Sequence, residues 1–296
     1  MKWWYSFVVV LVMSLTSMNA RVVSFHIHPA INPRNPRNQI NPILDLVGRR
    51  RALPCLRRAV EKGRKWGVDD SHNHVHALDV LRLAFRIMPS SVPRTVMEKV
   101  MVCALLHDTI DRKYMLTEAA REQETRDLGR FLRHSLGYSV TEASRLETIM
   151  TDMSYHKTVR EGRFVVPSSI VDADEETQTV YHLVRQADLL SSYDIERMLL
   201  YKYHRLFPEN QHPRIETRMR LVCEDVFQTF ATRVQPLASI PGIFPSKAAR
   251  DLAESLYRES ALKMHFLERD GIHLYSPQQF RLYRVLPVAD DLKSWS

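Results

Sequence analysis

The sequence predicts an all-α protein, a bundle of helices with a C-terminal helical extension and tail. Three observations lead there. Beyond residue 45 the apolar residues recur almost everywhere at helical spacing. Strand signals are few and short. The chain holds only 8 Gly among 296 residues, with no low-complexity tract and no repeat at solenoid spacing, which leaves an ordinary globular packing.

Residues 1–20, MKWWYSFVVVLVMSLTSMNA, carry Lys2, an apolar core and then small polar residues ending at Ala20. This is the layout of a signal-peptide-like leader, and its apolar run is shorter than the ~20 residues a spanning helix needs. Residues 21–45 contain no acid before Asp45, carry Arg21, Arg34 and Arg37, and are interrupted by four prolines. They read as a transit segment or disordered linker. The leader points to the secretory route or to an organelle such as a plastid. Cys55, Cys103 and Cys223 are odd in number and scattered, so they read as buried free thiols in a reduced interior, with no disulfide framework. Four basic residues precede Asp45, and the rest of the chain carries 38 basic against 34 acidic residues. The net charge of +8 is therefore weak evidence for a nucleic-acid partner. The basic run from Arg49 to Lys65 lacks interleaved aromatics and reads as a solvated helix face.

Leu56 to Trp66 makes a first, basic helix. A second starts at Asp70 or Ser71 and ends before Pro89, since proline cannot continue a helix. Ser91 and Pro93 open a third, with Val96, Val100, Cys103, Ala104 and His107 on one stripe. Thr117 to His134 is charged and partly exposed. Ser139 and Glu142 have capping-box spacing and open a fifth helix with Val140, Ala143, Leu146, Ile149, Met150 and Met153 inward. The segment EGRFVVPSSI, residues 161–170, is the one obvious loop. Helical pattern resumes over 174–203, 214–234 and 246–269, which divides the chain into a main domain, 46–235, and an extension, 236–296.

Three of these helices turn chemistry-bearing groups onto their apolar side. In Ala104-Leu-Leu-His107-Asp108-Thr-Ile-Asp111, a continuous helix would put His107, Asp108 and Asp111 on one face. Burying an unpaired carboxylate there costs several kcal/mol, so a metal, a cation or hydrogen bonds must satisfy it. His76 lies one turn before Val80 and two before Leu83 and Ala84; His72 shares that face, and His74 points elsewhere. Val180, Leu183, Val184 and Ala187 are core-spaced, which sets Asp188 in their stripe. Two imidazoles and two carboxylates suit one divalent ion (Mn²⁺, Mg²⁺, Co²⁺ or Zn²⁺) with positions left for water.

The order His76, His107-Asp108, Asp188 resembles the HD-domain superfamily of metal-dependent phosphohydrolases, over roughly residues 55–235. It is most similar to the small soluble members that read S-H-D-x-x-H-x-x-R-V, L-L-H-D-x-x-D-x-K and D-A-D-x-L. Here these become Ser71-His72-Asn73-His74-Val75-His76-Ala77-Leu78-Asp79-Val80, then Leu105-Leu106-His107-Asp108-Thr109-Ile110-Asp111-Arg112-Lys113, then Gln186-Ala187-Asp188-Leu189-Leu190. Asn73 stands where those members have an acid and Asp79 where they are usually basic, which puts substrate contacts at both sites in doubt.

The resemblance implies an HD-type bundle with His76, His107, Asp108 and Asp188 as metal ligands. It implies hydrolysis of a phosphoester or phosphoanhydride, of a nucleotide, by a metal-activated water, so the partner is a small phosphorylated molecule. Lys113 would contact phosphoryl oxygens. Asp111 would serve proton transfer, or else orient His107 or hold Lys113. His72 reads as a substrate contact or a polar helix start. His134 and His156 read as structural, which leaves one metal ion. Tyr193, Asp194 and Arg197 would line the pocket or close it through an Asp–Arg pair. Two other functions share this pattern: a di-iron HD oxygenase, which needs further ligands, and a non-catalytic HD-fold binding module. The choice of substrate falls to loops such as 157–171.

Overall fold

The computed structural model describes residues 36–69, 71–115, 117–207 and 215–270; the signal-like leader lies outside them. The chain divides into two units, residues 1–39 and 40–296. Among its described residues the second is all-α apart from one hairpin of two two-residue strands.

Helix α1 (Pro36–Val47) and α2 (Arg49–Trp66) are separated at Gly48, whose φ of 101° requires glycine. The segment expected as linker to residue 45 is thus helical from Pro36, and the reason is burial: Leu44 and Val47 are in the core. Helix α2 ends in a left-handed Gly67, with Val68 N–H donating to the Gly63 carbonyl at 2.9 Å. Helix α3 (His74–Ile87) starts three residues later than expected, because Asn73 accepts the Val75 N–H and becomes its cap. Helix α4 (Arg94–Leu106) is followed by short 3₁₀ turns, His107–Ile110 and Arg112–Tyr114.

Helix α5 (Glu118–His134) is capped by Thr117, and α6 (Val140–Asp152) by the full capping box of Ser139 and Glu142. Of the expected inward set on α6, Val140 is exposed, since it sits in the first turn beyond the packed face; Ala143, Leu146, Ile149, Met150 and Met153 are buried. The expected loop holds more structure than foreseen. Short α7 (Tyr155–Thr158) leads into β1 (Val159–Arg160) and β2 (Arg163–Phe164), then α8 (Ser168–Val171). The stretch 174–203 is two helices, α9 (Glu175–Ser191) and α10 (Ile195–Leu206), because Asp194 caps a new helix through the Arg197 N–H. Helix α11 (Ile215–Thr229) continues as a π-turn and a 3₁₀ turn to Ser239, and α12 (Lys247–Asp270) closes the described chain.

Helix α9 is the axis of the unit: it packs on α3 and α4, and α12, α6 and α8 lie against it. No separate core begins at residue 236. Leu237, Ile240, Ile243, Phe244, Leu252 and Met264 join the same buried cluster as Val80, Leu106 and Val184. Fully buried Arg185 of α9 donates to the Ile243 carbonyl at 2.7 Å and stacks on Phe164, tying hairpin and extension to the axis. All three cysteines are free and buried, and burial pushes the Cys55 thiol up to about 12, so none is a ready thiolate. No helix among the described residues is long and apolar enough to cross a membrane.

Leu106 is fully buried at the point where α4 hands over to His107. Leu106→Ala is expected to lower unfolding free energy by about 2–5 kcal/mol, read from the urea midpoint at unchanged slope.

Candidate metal centre

Three helices deliver four side chains to one point. His76 is in the first turn of α3, His107 and Asp108 follow the end of α4, and Asp188 lies near the end of α9. His76 and His107 face each other through Nε2 at 3.2 Å. Asp108 Oδ2 lies 3.4 Å from His76 Nε2 and 3.3 Å from His107 Nε2. Asp188 Oδ1 lies 3.3 Å from His76 Nε2 and 3.8 Å from His107 Nε2. His76, His107 and Asp108 offer ligand atoms that are all within 4.8 Å of one another; Asp188, expected as a fourth ligand, meets both imidazoles but lies outside that group.

The 3₁₀ turn is what aims two of these groups. An α-helix running through Asp111 was expected; it stops at Leu106 because local polar groups take its carbonyls. Thr109 Oγ1 donates to the Leu106 carbonyl at 2.7 Å, and the His107 ring meets the Ala104 carbonyl through Nδ1 at 2.9 Å. Asp111, past the turn, is in extended backbone. Asp108 and Asp111 nevertheless both line the same cleft, so they share a side as expected, by a different geometry.

The donor set fits a divalent cation on three grounds. First, bonds of about 2.0–2.2 Å from ion to ligand put neighbouring ligand atoms about 2.9–3.5 Å apart, which covers the separations among His76 Nε2, His107 Nε2 and Asp108 Oδ2. Second, donation from His107 Nδ1 to the Ala104 carbonyl leaves the Nε2 lone pair of the neutral ring turned inward, the tautomer a metal requires. Third, Asp108 Oδ2 is buried and receives no hydrogen bond from the protein. A buried carboxylate oxygen left so is costly without a cation.

The electrostatics agree. Burial and the nearby Arg197 press His76 down to about 3, so this ring stays neutral. Burial alone would also lower His107, but Asp108 and Asp188 overcome it and raise the ring to about 9. Burial would raise both carboxylates; the paired imidazoles instead hold Asp108 and Asp188 well below the usual range. Without an ion, one proton on His107 balances part of the carboxylate charge.

A small cleft of about 20 Å³, open to solvent, adjoins this centre, with Asp108, Asp111, His72, Tyr114, Lys62 and Trp66 in its walls. Asp111 accepts from the Lys113 ammonium at 2.8 Å and from the Lys113 N–H at 3.0 Å. It therefore holds Lys113. Burial would lower that ammonium, but Asp108 and Asp111 raise it, so it stays charged. His74, expected to point away, is half-buried and lines the cleft. His134 and His156 are exposed and take no part in the cluster. Tyr193 is buried in the core, and Asp194 caps α10 rather than pairing with the Arg197 side chain.

Sequence reasoning missed the support on the α3 side. Asp69 Oδ1 accepts from the Ser71 N–H at 2.8 Å and from the Ser71 hydroxyl, and Oδ2 accepts from Tyr114 at 2.6 Å. Burial would raise this carboxyl; hydrogen bonds from the His72, Ser71 and Tyr114 side hold it well below its ordinary value. Arg197 donates to the Ser71 carbonyl at 3.2 Å and to Ser191 Oγ at 3.1 Å, so α10 pins the same segment to α9. The one visible signal was Asp69-x-Ser71, the spacing of an Asx turn. Family models, curated proteins and solved structures give no match to this chain.

Because ligand imidazoles must be neutral and His107 is protonated below about 9, one proton competes with the ion, and more strongly as pH falls. Mn²⁺ affinity is expected to rise roughly tenfold per unit between about pH 6 and 8, with about one proton released per ion, measured by calorimetry in two buffers. Asp188→Asn should weaken binding at every pH; a pH-independent affinity would contradict the displaced proton.

Proposed function

We propose that this chain is a metal-dependent phosphohydrolase cleaving a phosphoester or phosphoanhydride of a nucleotide. One observation supports it above the rest: the two imidazoles meet each other and both carboxylates at 3.2–3.8 Å, beside an open cleft whose wall includes Asp111, the residue that holds Lys113. The motif order His76, His107-Asp108, Asp188 and its resemblance to HD-domain phosphohydrolases agree with this reading.

His76, His107, Asp108 and Asp188 would hold one divalent ion. Such an ion lowers the pKa of bound water toward neutrality and polarises a phosphoryl oxygen. Lys113 brings a second positive charge, fixed by Asp111, to the side where phosphoryl oxygens gather charge in the transition state. Asp111 positions that ammonium and, from the cleft wall, can pass a proton to a leaving oxygen. The buried apolar shell of α3, α4 and α9 excludes bulk water behind the ligands and keeps these charges effective. A di-iron oxygenase would need further ligands, and the two histidines that could have supplied them are exposed.

The full chain with Mn²⁺ is expected to release phosphate or pyrophosphate from at least one member of a nucleotide panel. Asp108→Ala should abolish release with the thermal transition retained, and Lys113→Ala should lower kcat/KM by about 10²-fold. Undiminished turnover in Asp108→Ala would refute the assignment.

A further inference from the structure

His72 lies beside the ligand cluster without belonging to it: its ring centroid is 5.7 Å from that of His76, and its side chain lines the cleft. Its Nδ1 is 2.6 Å from Ser71 Oγ. A serine hydroxyl has one proton, and Ser71 gives its own to Asp69 Oδ1. Asp69 cannot return one, because it already accepts from the Ser71 amide and from the Tyr114 hydroxyl. In the neutral ring, Nδ1 must then carry the hydrogen and donate it to Ser71 Oγ. The second nitrogen, Nε2, is left with a lone pair and makes no hydrogen bond among the described residues.

The relay behind that lone pair is rigid. Ser71 is fully buried, its carbonyl is held by Arg197, and the Tyr201 ring meets the His72 ring edge-on at 5.2 Å. An acceptor fixed in this way has no use for phosphoryl oxygens, which are acceptors themselves; those suit Lys113. Its complement is a hydroxyl. The cleft is small, about 20 Å³, and open to solvent, so it admits one hydroxyl of a sugar rather than the whole ring.

We propose that His72 is a specificity-determining residue whose Nε2 accepts a hydrogen bond from a hydroxyl of the substrate's sugar, so that the cleft selects phosphate esters of hydroxylated sugars over deoxy analogues. This rests on the reading of the cleft as a phosphate-ester site. It adds to that reading which part of the substrate is recognised, and by what.

The test is equilibrium binding of ribose 5-phosphate and its 2-deoxy and 3-deoxy analogues to the Mn²⁺-loaded full chain, with phosphate release from ribonucleotides followed separately. Loss of one neutral hydrogen bond predicts about tenfold weaker binding of one deoxy analogue. That preference should vanish in His72→Ala and Ser71→Ala, and return in part in His72→Gln, whose amide oxygen restores an acceptor. Melting curves confirm folding, and Mn²⁺ affinity should be unchanged. Equal binding of all three sugars to the unaltered chain, or a preference that survives His72→Ala, overturns the proposal. Selective sugar binding without phosphate release would sink the hydrolase reading and leave this one standing; release without selectivity would do the reverse.

Discussion

Two half-buried carboxylates meet two buried imidazoles at the edge of the helical core, and the rest of the site is arranged around that conflict. Asp108 Oδ2 is buried without a protein donor, and both histidine Nε2 atoms turn toward it. Like charges and opposed lone pairs in a low-dielectric interior repel unless a positive charge stands between them. A proton on His107 relieves part of the repulsion. A divalent ion held by His76, His107 and Asp108 would relieve more of it.

Holding such a cluster needs stiffness from the helices, and the packing supplies it. The axis α9 carries Asp188 and lies against both α3 and α4, which carry His76 and lead into His107. Residues flanking the ligands, such as Val80, Ala84, Ala104, Leu106, Val184 and Ala187, are almost completely buried, so each ligand's backbone has little room to shift. The extension contributes to the same end. Its Ile243 carbonyl satisfies one donor of Arg185, three residues before Asp188, and its apolar residues close the core behind α9.

Near the ligand cluster the polar groups divide by what they can offer. Lys113, fixed by Asp111, offers only donors. His72, fixed through Ser71 and Asp69, offers an acceptor in its neutral form. The two lie on different segments, one after α4 and one before α3, and the first is tied to Asp111 while the second is tied to α9 and α10 through Arg197. On the proposed reading, donors and acceptors set on separate supports read separate parts of a ligand, a phosphoryl group and a hydroxyl.

How much of this was legible beforehand depended on the range of the interactions. Helical periodicity, the Ser139–Glu142 capping box and the inward placement of His76, His107, Asp108 and Asp188 are set within a few residues by spacing and caps, so the sequence by itself determined the all-α class and the four candidate ligands. Breaks caused by side chains competing for backbone groups were harder to foresee, as at Thr109 after Leu106 or Asp194 between α9 and α10, because a periodic pattern runs through them unchanged. Only the tertiary structure decided which distant groups meet. It drew residues 237–267 into the main core, committed Asp111 to Lys113, brought Tyr114 to Asp69 across 45 positions and carried Arg197 to Ser71 across 126. Such pairings follow from how α3, α9 and α10 pack, and burial rather than local spacing selects among them.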